Sequence, residues 1–333
     1  MKLLEFHKNF PDEESCRLHW KQNREEQGIV CKHCKGKEHK WNEKHKYWIC
    51  KKCYFRTSLK NGTVMQNSNL KFRDWYIAMH LLTSTKHAFS AKELQKELDK
   101  KRYEPCWAML HKLRNAMGER DENYVLQEFL EFDEAFFSTF SNYTKKEKRE
   151  QISNTAILLK RGKGSQKKSK VLVMTESKPA SEEEQKLGGY KKSRKINHVK
   201  MIVVEDLKKE TINAEVEKNI DKNSEVRTDG SNSYADLKKK VKKHDFKVLK
   251  TSADVNSFLP WVHTMVSNAK RTILGIHYLV GKGYIQQYLN EFCYKINRRF
   301  FGEKIFDRII VAAINSEHRK VIDIKYDFLH HCG

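Results

Sequence analysis

The stretch LEFDEAFF, residues 130–137, places acidic side chains among large apolar ones in the way expected of a half-buried β-strand. More strand-like stretches follow: NTAILLK (154–160), KVLVMTE (170–176), HVKMIVVE (198–205), EVRTDG (225–230) and FKVL (246–249). Helical patterns are expected at about 210–220, 233–243 and 266–279. Successive strands, followed by strands that alternate with helices, predict an α/β fold built on one mixed sheet.

This order of elements is typical of an RNase H-like fold. Two aspartates lie in or at the end of its predicted strands. Asp133 lies within the first strand, and Asp229 lies at the carboxyl end of EVRT. Active sites in open sheets gather at strand ends, so we expect both carboxylates to bind a pair of Mg²⁺ ions, which Mn²⁺ can replace. TDG is also an ordinary strand-to-turn signal. Glu134 points to the opposite strand face, so we expect it to lie outside the metal site.

Four cysteines near the amino terminus have the spacing of a zinc ribbon. Cys31-x-x-Cys34 and Cys50-x-x-Cys53 are separated by fifteen residues. Two such turns complete a closed tetrahedron of thiolates, so the predicted zinc site is structural. The alternative is four thiols without a metal.

Residues 66–122 have the periodicity of three short helices. Apolar residues recur at helical spacing from Phe72, Ser90 and Glu93 can form a capping box, and Pro105 suits a first helical turn. The pattern predicts a helix-turn-helix module, although a helical linker is the alternative. The residues expected near DNA are Lys101, Arg102, His111, Lys112 and Arg114.

The charge balance favours a polyanionic partner. Lysine and arginine number 66 against 43 acidic residues, giving a formal net charge of +23. KRGKGSQKKSK (160–170) concentrates this charge, and Lys160, Arg161 and Lys163 are candidate phosphate contacts. A solvated charged face is the alternative. The sequence contains neither an apolar signal segment nor a run long enough to span a membrane, so we expect a cytoplasmic protein.

Three domains are predicted from these patterns. They are a zinc ribbon (1–65), a helix-turn-helix DNA-binding domain (66–122) and an RNase H-like catalytic domain (123–325). Within the last, residues 177–198 mix glutamate, glycine and lysine without an apolar period, which predicts an exposed basic loop. The segments YLNEFCYKINRR and EKIFDRII are expected to be helices that pack on the sheet.

Several blocks of sequence closely resemble one family. FDEAFF, KRGKGSQKKSKVLVM, TDGSNSY, WVHTMVSNAKRTILGIH and YLNEFCYKINRRFFGEKIFDR are similar to the ISXO-like insertion-sequence transposases of the DDE superfamily, which carry an amino-terminal zinc ribbon. The likeness extends from about residue 15 to residue 315. It implies a metal-dependent, nucleoid-associated bacterial enzyme that hydrolyses transposon ends and joins the freed 3′-hydroxyl to target DNA.

The resemblance also suggests two further site residues. Most DDE enzymes have a glutamate as the third acidic ligand, whereas this chain resembles the branch with an Asp, Asp, Asn, Lys signature. It implies that Asn268 lies at the metal and that Lys270 neutralises phosphate charge. Because these residues are two positions apart, either Lys270 must curl round or a helix must start between them. A capping role for Ser267 or Asn268 is an alternative, Glu291 is a second-ranked third carboxylate, and His263 is assigned a structural role.

The implied partners are terminal inverted repeats and target DNA, with no membrane. We expect at least a homodimer, because two transposon ends are processed together. The first alternative is a domesticated, catalytically inactive DNA-binding protein, suggested by Asn268. A stand-alone RNase H-like nuclease is the second.

Overall fold

The chain forms two compact units in this computed structural model, which describes residues 1–140, 168–183, 193–248, 251, 254 and 257–316. The first, called the ribbon unit, comprises Met1–Asp121 together with the described residues from Arg298 onward. The second, called the sheet unit, is Glu122–Asn297. Within the described residues, none of the helices combines the length and apolar character needed to cross a membrane.

The two units contain the following helices and strands. The helices are α1 (Leu3–Asn9), α2 (Glu13–Gln27), α3 (Phe72–Ser84), α4 (Ala91–Glu97), α5 (Glu104–Glu122), α6 (Lys209–Asn219), α7 (Pro260–His277), α8 (Ile285–Asn297) and α9 (Ile305–Asn315). The strands are β1 (His39–Asn42), β2 (Tyr47–Cys50), β3 (Arg56–Ser58), β4 (Phe129–Phe140), β5 (Lys168–Pro179), β6 (Arg194–Val204), β7 (Glu225–Thr228), β8 (Lys243–Phe246) and β9 (Val280–Gly281).

A small antiparallel sheet, in the order β1-β2-β3, occupies the ribbon unit beside helix α2. Trp20 of α2 is fully buried, and its indole N–H donates a 2.9 Å hydrogen bond to the Leu59 carbonyl just after β3. Arg24, one turn later, donates to the same carbonyl and to that of Ser58. These bonds satisfy backbone groups at the end of a short strand and fix the sheet against α2.

Helices α3, α4 and α5 agree with the periodicity of residues 66–122. The capping box at α4 is present, because the Ser90 hydroxyl accepts from the Glu93 N–H and the Glu93 carboxylate accepts from the Ser90 N–H. Pro105 lies in the first turn of α5. Helix α5 is longer than the three-helix pattern predicted, and it continues to Glu122.

Helix α9 belongs to the ribbon unit, and this differs from the predicted packing of EKIFDRII on the sheet. Phe306 lies among Phe6, Phe10 and Tyr76, with ring centroids 5.8 to 6.0 Å away. The Ala313 carbonyl also accepts a hydrogen bond from the N–H of residue 64. The sheet unit therefore ends at Asn297, short of the predicted boundary at 325, because the apolar face of α9 is complementary to α2 and α3.

The sheet unit contains one mixed sheet, in the order β6-β5-β4-β7-β8, with β9 added beside the far end of β4. Strands β4, β5 and β6 are antiparallel neighbours, whereas β7 and β8 run parallel to β4. Three antiparallel strands followed by two parallel ones on the other side of the first strand are the RNase H-like arrangement. The predicted α/β fold class is confirmed.

The two faces of the sheet are covered by different helices. Side chains at even positions of β4, such as Leu130 and Phe132, share a core with α6. The odd positions Ala135 and Phe137 share a second core with α7 and α8. Successive strand residues alternate between the two faces of a sheet. The even-numbered residues of LEFDEAFF therefore lie on the α6 face, and the odd-numbered ones lie on the face covered by α7 and α8.

Several predicted elements in the sheet unit differ in extent from those observed. Residues 233–243 were expected to be a helix but form two short 3₁₀ turns, Asn232–Tyr234 and Leu237–Lys239. Strand β8 begins three residues before the predicted 246–249 and ends at Phe246, and α7 begins six residues before the predicted 266. The strands β5 and β6 occupy both ends of the predicted loop 177–198. NTAILLK, the middle of that loop (184–192), and Lys160, Arg161 and Lys163 lie outside the described residues.

Candidate functional site

Three carboxylates meet where strand β7 ends beside β4. Along β4, strand β7 pairs only with Phe129, Leu130 and Glu131. The β4 residues that follow therefore extend beyond the end of β7. Asp133 and Glu134 lie on this part of β4, which still pairs with Val173 and Leu172 of β5 on its other side, and Asp229 is the residue after β7. One oxygen from each of these three side chains lies within 4.8 Å of the others. We call Asp133, Glu134 and Asp229 the carboxylate group.

The position of Asp229 is fixed by a tight turn. Its carboxylate accepts a 3.0 Å hydrogen bond from the Ser231 N–H, which closes a turn over Gly230. Gly230 has a φ of +77°, a conformation that side chains with a β-carbon rarely adopt. The TDG sequence is thus a strand-to-turn signal and also the element that directs Asp229 towards β4.

Glu134 lies close to both aspartates, although its position on the opposite strand face predicted that it would lie apart from them. Asp133 starts from the β4 face that packs on α7, and Glu134 starts from the α6 face, as strand alternation requires. However, β7 has ended at Thr228, so no neighbouring strand separates the two faces at this point. Both side chains reach round the open edge to Asp229.

This set of oxygen donors fits a hard divalent cation. Carboxylates are the ligands that Mg²⁺ and Mn²⁺ prefer, and like charges this close repel unless a cation or protons neutralise them. The side chain of Asp133 is only 14% exposed, which reduces screening by water. The carboxylate group, in the described part of the chain, is one of two clusters with metal-ligand geometry.

Helix α7 brings His263 beside Asp133 and Lys270 beside Phe137 of the same strand. His263 Nε2 lies 3.6 Å from Asp133 Oδ2. Burial and the positive charge of Lys270 lower the pKa of His263, which favours the neutral imidazole. Lys270 Nζ lies 5.6 Å from the centroid of the Phe137 ring, and burial lowers its pKa too, with a further contribution from Lys168.

Asn268 lies on a different flank of the same helix. Helix α7 runs without interruption from Pro260 to His277, so it neither starts between Asn268 and Lys270 nor begins with a Ser267 or Asn268 cap. At 100° per residue, Lys270 is about 20° from His263 around the axis, whereas Asn268 is about 140° from it. Asn268 as a metal ligand stays a prediction. Glu291, the other candidate, is buried on α8 and forms a 2.9 Å ion pair with Lys295.

The first turn of α7 is anchored to β4 by Glu131, which the sequence did not single out. Its Oε2 accepts hydrogen bonds from the Trp261 and Val262 N–H groups at 2.7 and 2.9 Å. Leu259 at the N-cap has no side-chain acceptor, so Glu131 supplies one from the sheet. Because Glu131 and Asp133 start from the same strand face, this contact relates α7 to the carboxylate group.

The four predicted zinc ligands converge in the ribbon unit. The sulfur atoms of Cys31, Cys34, Cys50 and Cys53 all lie within 4.8 Å of one another. Each C-x-x-C turn has the same form, since the Lys35 N–H donates to the Cys31 carbonyl and the Tyr54 N–H to the Cys50 carbonyl, both at 2.9 Å. Lys35 and Tyr54 both have positive φ angles, near 60°.

Backbone donors favour the thiolate form at two of these cysteines, and the cluster leaves little spare room. The backbone N–H of Cys34 lowers the pKa of the Cys31 thiol to about 6, and the backbone N–H of Cys53 lowers that of Cys50. A β-carbon at Gly36 would lie 3.2 Å from Cys34 Sγ and 3.3 Å from Cys50 Sγ. Four thiolates around one point fit a structural zinc ion.

The predicted DNA contacts on α4 and α5 divide into two groups. Lys101 and Arg102 are exposed between the helices. Lys112 is half-buried and donates to the Gln66 carbonyl at 2.9 Å. Arg114 is 1% exposed and donates to the Phe89 carbonyl, and His111 is fully buried, so their assignment as DNA contacts is corrected to a structural one. Helix α5 is buried on almost every face, and its charged residues made this burial hard to predict from the sequence.

Comparison with known proteins agrees with the resemblance carried by the sequence. Residues 125–297 match a family model described as an ISXO2-like transposase domain. No curated protein sequence is significantly similar to the chain. One solved structure, "Crystal structure of a pre-cleavage Mos1 transpososome", has a chain that aligns with 73% of this chain and 80% of its own, with 11% identity and a TM-score of 0.23. That TM-score is too low to support any argument.

Proposed function

This chain belongs to the family of ISXO2-like transposase domains, whose model matches more than half of it, and we propose that it hydrolyses transposon ends and joins the 3′-hydroxyl to target DNA. Transposases of this family cut and join DNA. The finer proposal is that both steps are in-line phosphoryl transfers at the carboxylate group. The observation that carries it is the approach of Asp133 and Asp229 to within 4.8 Å at the end of β7.

Asp133 and Asp229 would hold the divalent ions. A pair of such ions, when bound, activates the attacking oxygen and stabilises the leaving oxygen. Water is the attacking group in the hydrolysis of the transposon end, which releases a 3′-hydroxyl. That hydroxyl then attacks a target phosphodiester, and one target bond breaks as the new bond forms.

Lys270 is proposed to bind the phosphate that reacts. Its ammonium group lies on the same helix flank as His263 and beside β4, so it can neutralise charge on non-bridging oxygens. His263, kept neutral by burial, packs against Asp133 and limits the directions its carboxylate can take. Asn268 stays a predicted ligand that depends on the family resemblance.

The ribbon unit is proposed to bind DNA. The cysteine cluster would hold a structural zinc ion, and exposed cations such as Lys101 and Arg102 would contact phosphates of the terminal inverted repeats. The excess of 23 positive charges supports a polyanionic partner. We propose that the active species is at least a homodimer, since both transposon ends are processed together.

A strand-transfer assay tests this function. The substrate is the terminal inverted repeat that flanks the gene, with Mg²⁺ or Mn²⁺ and a supercoiled target. We expect Asp133→Asn and Asp229→Asn to lose both cleavage and joining, and Asp206→Asn to retain them. Asp206 accepts from the N–H of Lys208 at the start of α6, a role that asparagine preserves.

The assay also separates the alternatives. Normal activity in Asp133→Asn would refute the proposed site. Binding of the repeat by the wild-type protein without any metal-dependent cleavage would favour the inactive DNA-binding protein. Cutting without joining would favour a nuclease.

A further inference from the structure

We propose that Glu134 is the third carboxylate ligand of the divalent ions and that Tyr234 is the positioning residue that orients it. The proposal rests on the proposed metal-dependent function. It assigns to the residue next to Asp133 the negative charge that most DDE enzymes place on a late helix. The position on that helix, Asn268, carries a neutral amide.

Glu134 lies close to both aspartates of the carboxylate group. A side-chain oxygen of Glu134 lies within 4.8 Å of oxygens from both Asp133 and Asp229. The three carboxylates are held by two neighbouring parallel strands, and the early end of β7 leaves room for a side chain from the α6 face. The Glu134 N–H also donates a 2.8 Å hydrogen bond to Asp133 Oδ1, which ties the two residues together.

Tyr234 is buried in the core on the α6 face of the sheet. This side chain is 1% exposed, and its ring lies 5.1 Å from that of Phe132 on the α6 face. Its hydroxyl makes no hydrogen bond of standard geometry with the residues that the structure describes. A buried tyrosine hydroxyl in an apolar core requires an acceptor. Tyr234 is therefore a buried donor that still needs an acceptor.

The sheet face on which Tyr234 lies identifies its acceptor. Of the three carboxylates, Glu134 starts from the same sheet face as Tyr234. When the divalent ions are bound, the hydroxyl would donate to one Glu134 oxygen, with the other oxygen directed towards the two aspartates.

Divalent ions bind more tightly when their ligands supply more negative charge. Two aspartates and an asparagine supply two negative charges, whereas two aspartates and a glutamate supply three. Ligand charge is a main determinant of affinity for hard cations. Asn268 is about 140° from His263 around α7, and His263 is the helix residue that contacts Asp133. Glu134 is the better-placed source of the third oxygen ligand.

Mn²⁺ binding tests the proposal without relying on activity. Free Mn²⁺ is measured by electron paramagnetic resonance during titration of the zinc-loaded, full-length protein. We expect Glu134→Gln to raise the Kd for Mn²⁺ at least about ten-fold, and Tyr234→Phe to raise it by about three- to ten-fold. Glu205→Gln, an exposed carboxamide substitution at the end of β6, is the matched control and should leave the Kd unchanged.

The outcomes distinguish this inference from the proposed function. Asp133→Asn should abolish binding, and Asn268→Ala should weaken it less than Glu134→Gln does. If Glu134→Gln retains the wild-type Kd while Asp133→Asn loses Mn²⁺, the role of Glu134 is refuted and the function stands. If the wild-type protein does not bind Mn²⁺, the metal-dependent function itself fails. Circular dichroism confirms that each variant is folded.

Discussion

Replacement of Glu131 tests whether one buried carboxylate holds helix α7 against the sheet. The Glu131 side chain is 2% exposed, and one of its oxygens accepts two backbone N–H bonds. A hydrogen bond to a charged acceptor contributes about 1.5–3 kcal/mol, against about 0.5–1.5 kcal/mol for a neutral one. Glu131→Gln keeps the shape but loses the charge on both bonds. We therefore expect the first turn of α7 to be destabilised by about 2 kcal/mol.

Hydrogen exchange of the Trp261 and Val262 amides measures this loss directly. Local opening that becomes easier by about 2 kcal/mol corresponds to exchange that is about 30-fold faster. Glu131→Ala should have a larger effect, because it leaves both N–H groups buried without an acceptor. Glu128→Gln, an exposed substitution nearby, is the control. Exchange at the wild-type rate in Glu131→Gln would show that the carboxylate does not anchor the helix.

Three further predictions concern the ribbon unit. Gly36→Ala places a β-carbon against two zinc-site sulfurs, so we expect zinc release to a chelator to be about ten-fold faster. Gly275→Ala is the control, because open space surrounds that glycine, and its zinc release should match that of the wild type. Lys101→Ala with Arg102→Ala should reduce the slope of log Kd against log salt for DNA by about 2, and an unchanged slope would exclude phosphate contacts there. Burial lowers the pKa of His80, so the free energy of unfolding should fall as the pH drops below 6.5; His80→Phe should flatten that dependence, and an identical slope would contradict the burial argument.

Local patterns were sufficient for much of the fold. Strands β4, β5 and β6 and helix α6 follow from apolar runs and periodicity, and the capping box at Ser90 follows from four residues. The packing of α9 depends on complementarity with α2 and α3, which lie more than 200 residues earlier, and local patterns do not encode this. The two 3₁₀ turns at 232–239 replaced a predicted helix because the chain after Gly230 turns back to bury Tyr234 and Leu237.

The candidate site was partly predictable for similar reasons. The sequence placed Asp133 and Asp229 at strand positions that meet, and their carboxylates do approach one another. The approach of Glu134 depends on the exact residue at which β7 ends, and strand ends are poorly defined by sequence. The role of Arg114 was obscured because an arginine on a helix looks exposed in the sequence even when neighbouring elements bury it.

The return of α9 to the ribbon unit affects how the protein is made. The polypeptide enters the sheet unit after Asp121 and leaves it at Asn297, so the sheet unit is an insertion within the ribbon unit. During translation the insertion is completed first. Phe6, Phe10 and Tyr76 can form their ring contacts with Phe306 only after Phe306 has emerged from the ribosome. We expect the nascent sheet unit to reach its native state before the segment that precedes it does, the reverse of the usual amino-to-carboxyl order.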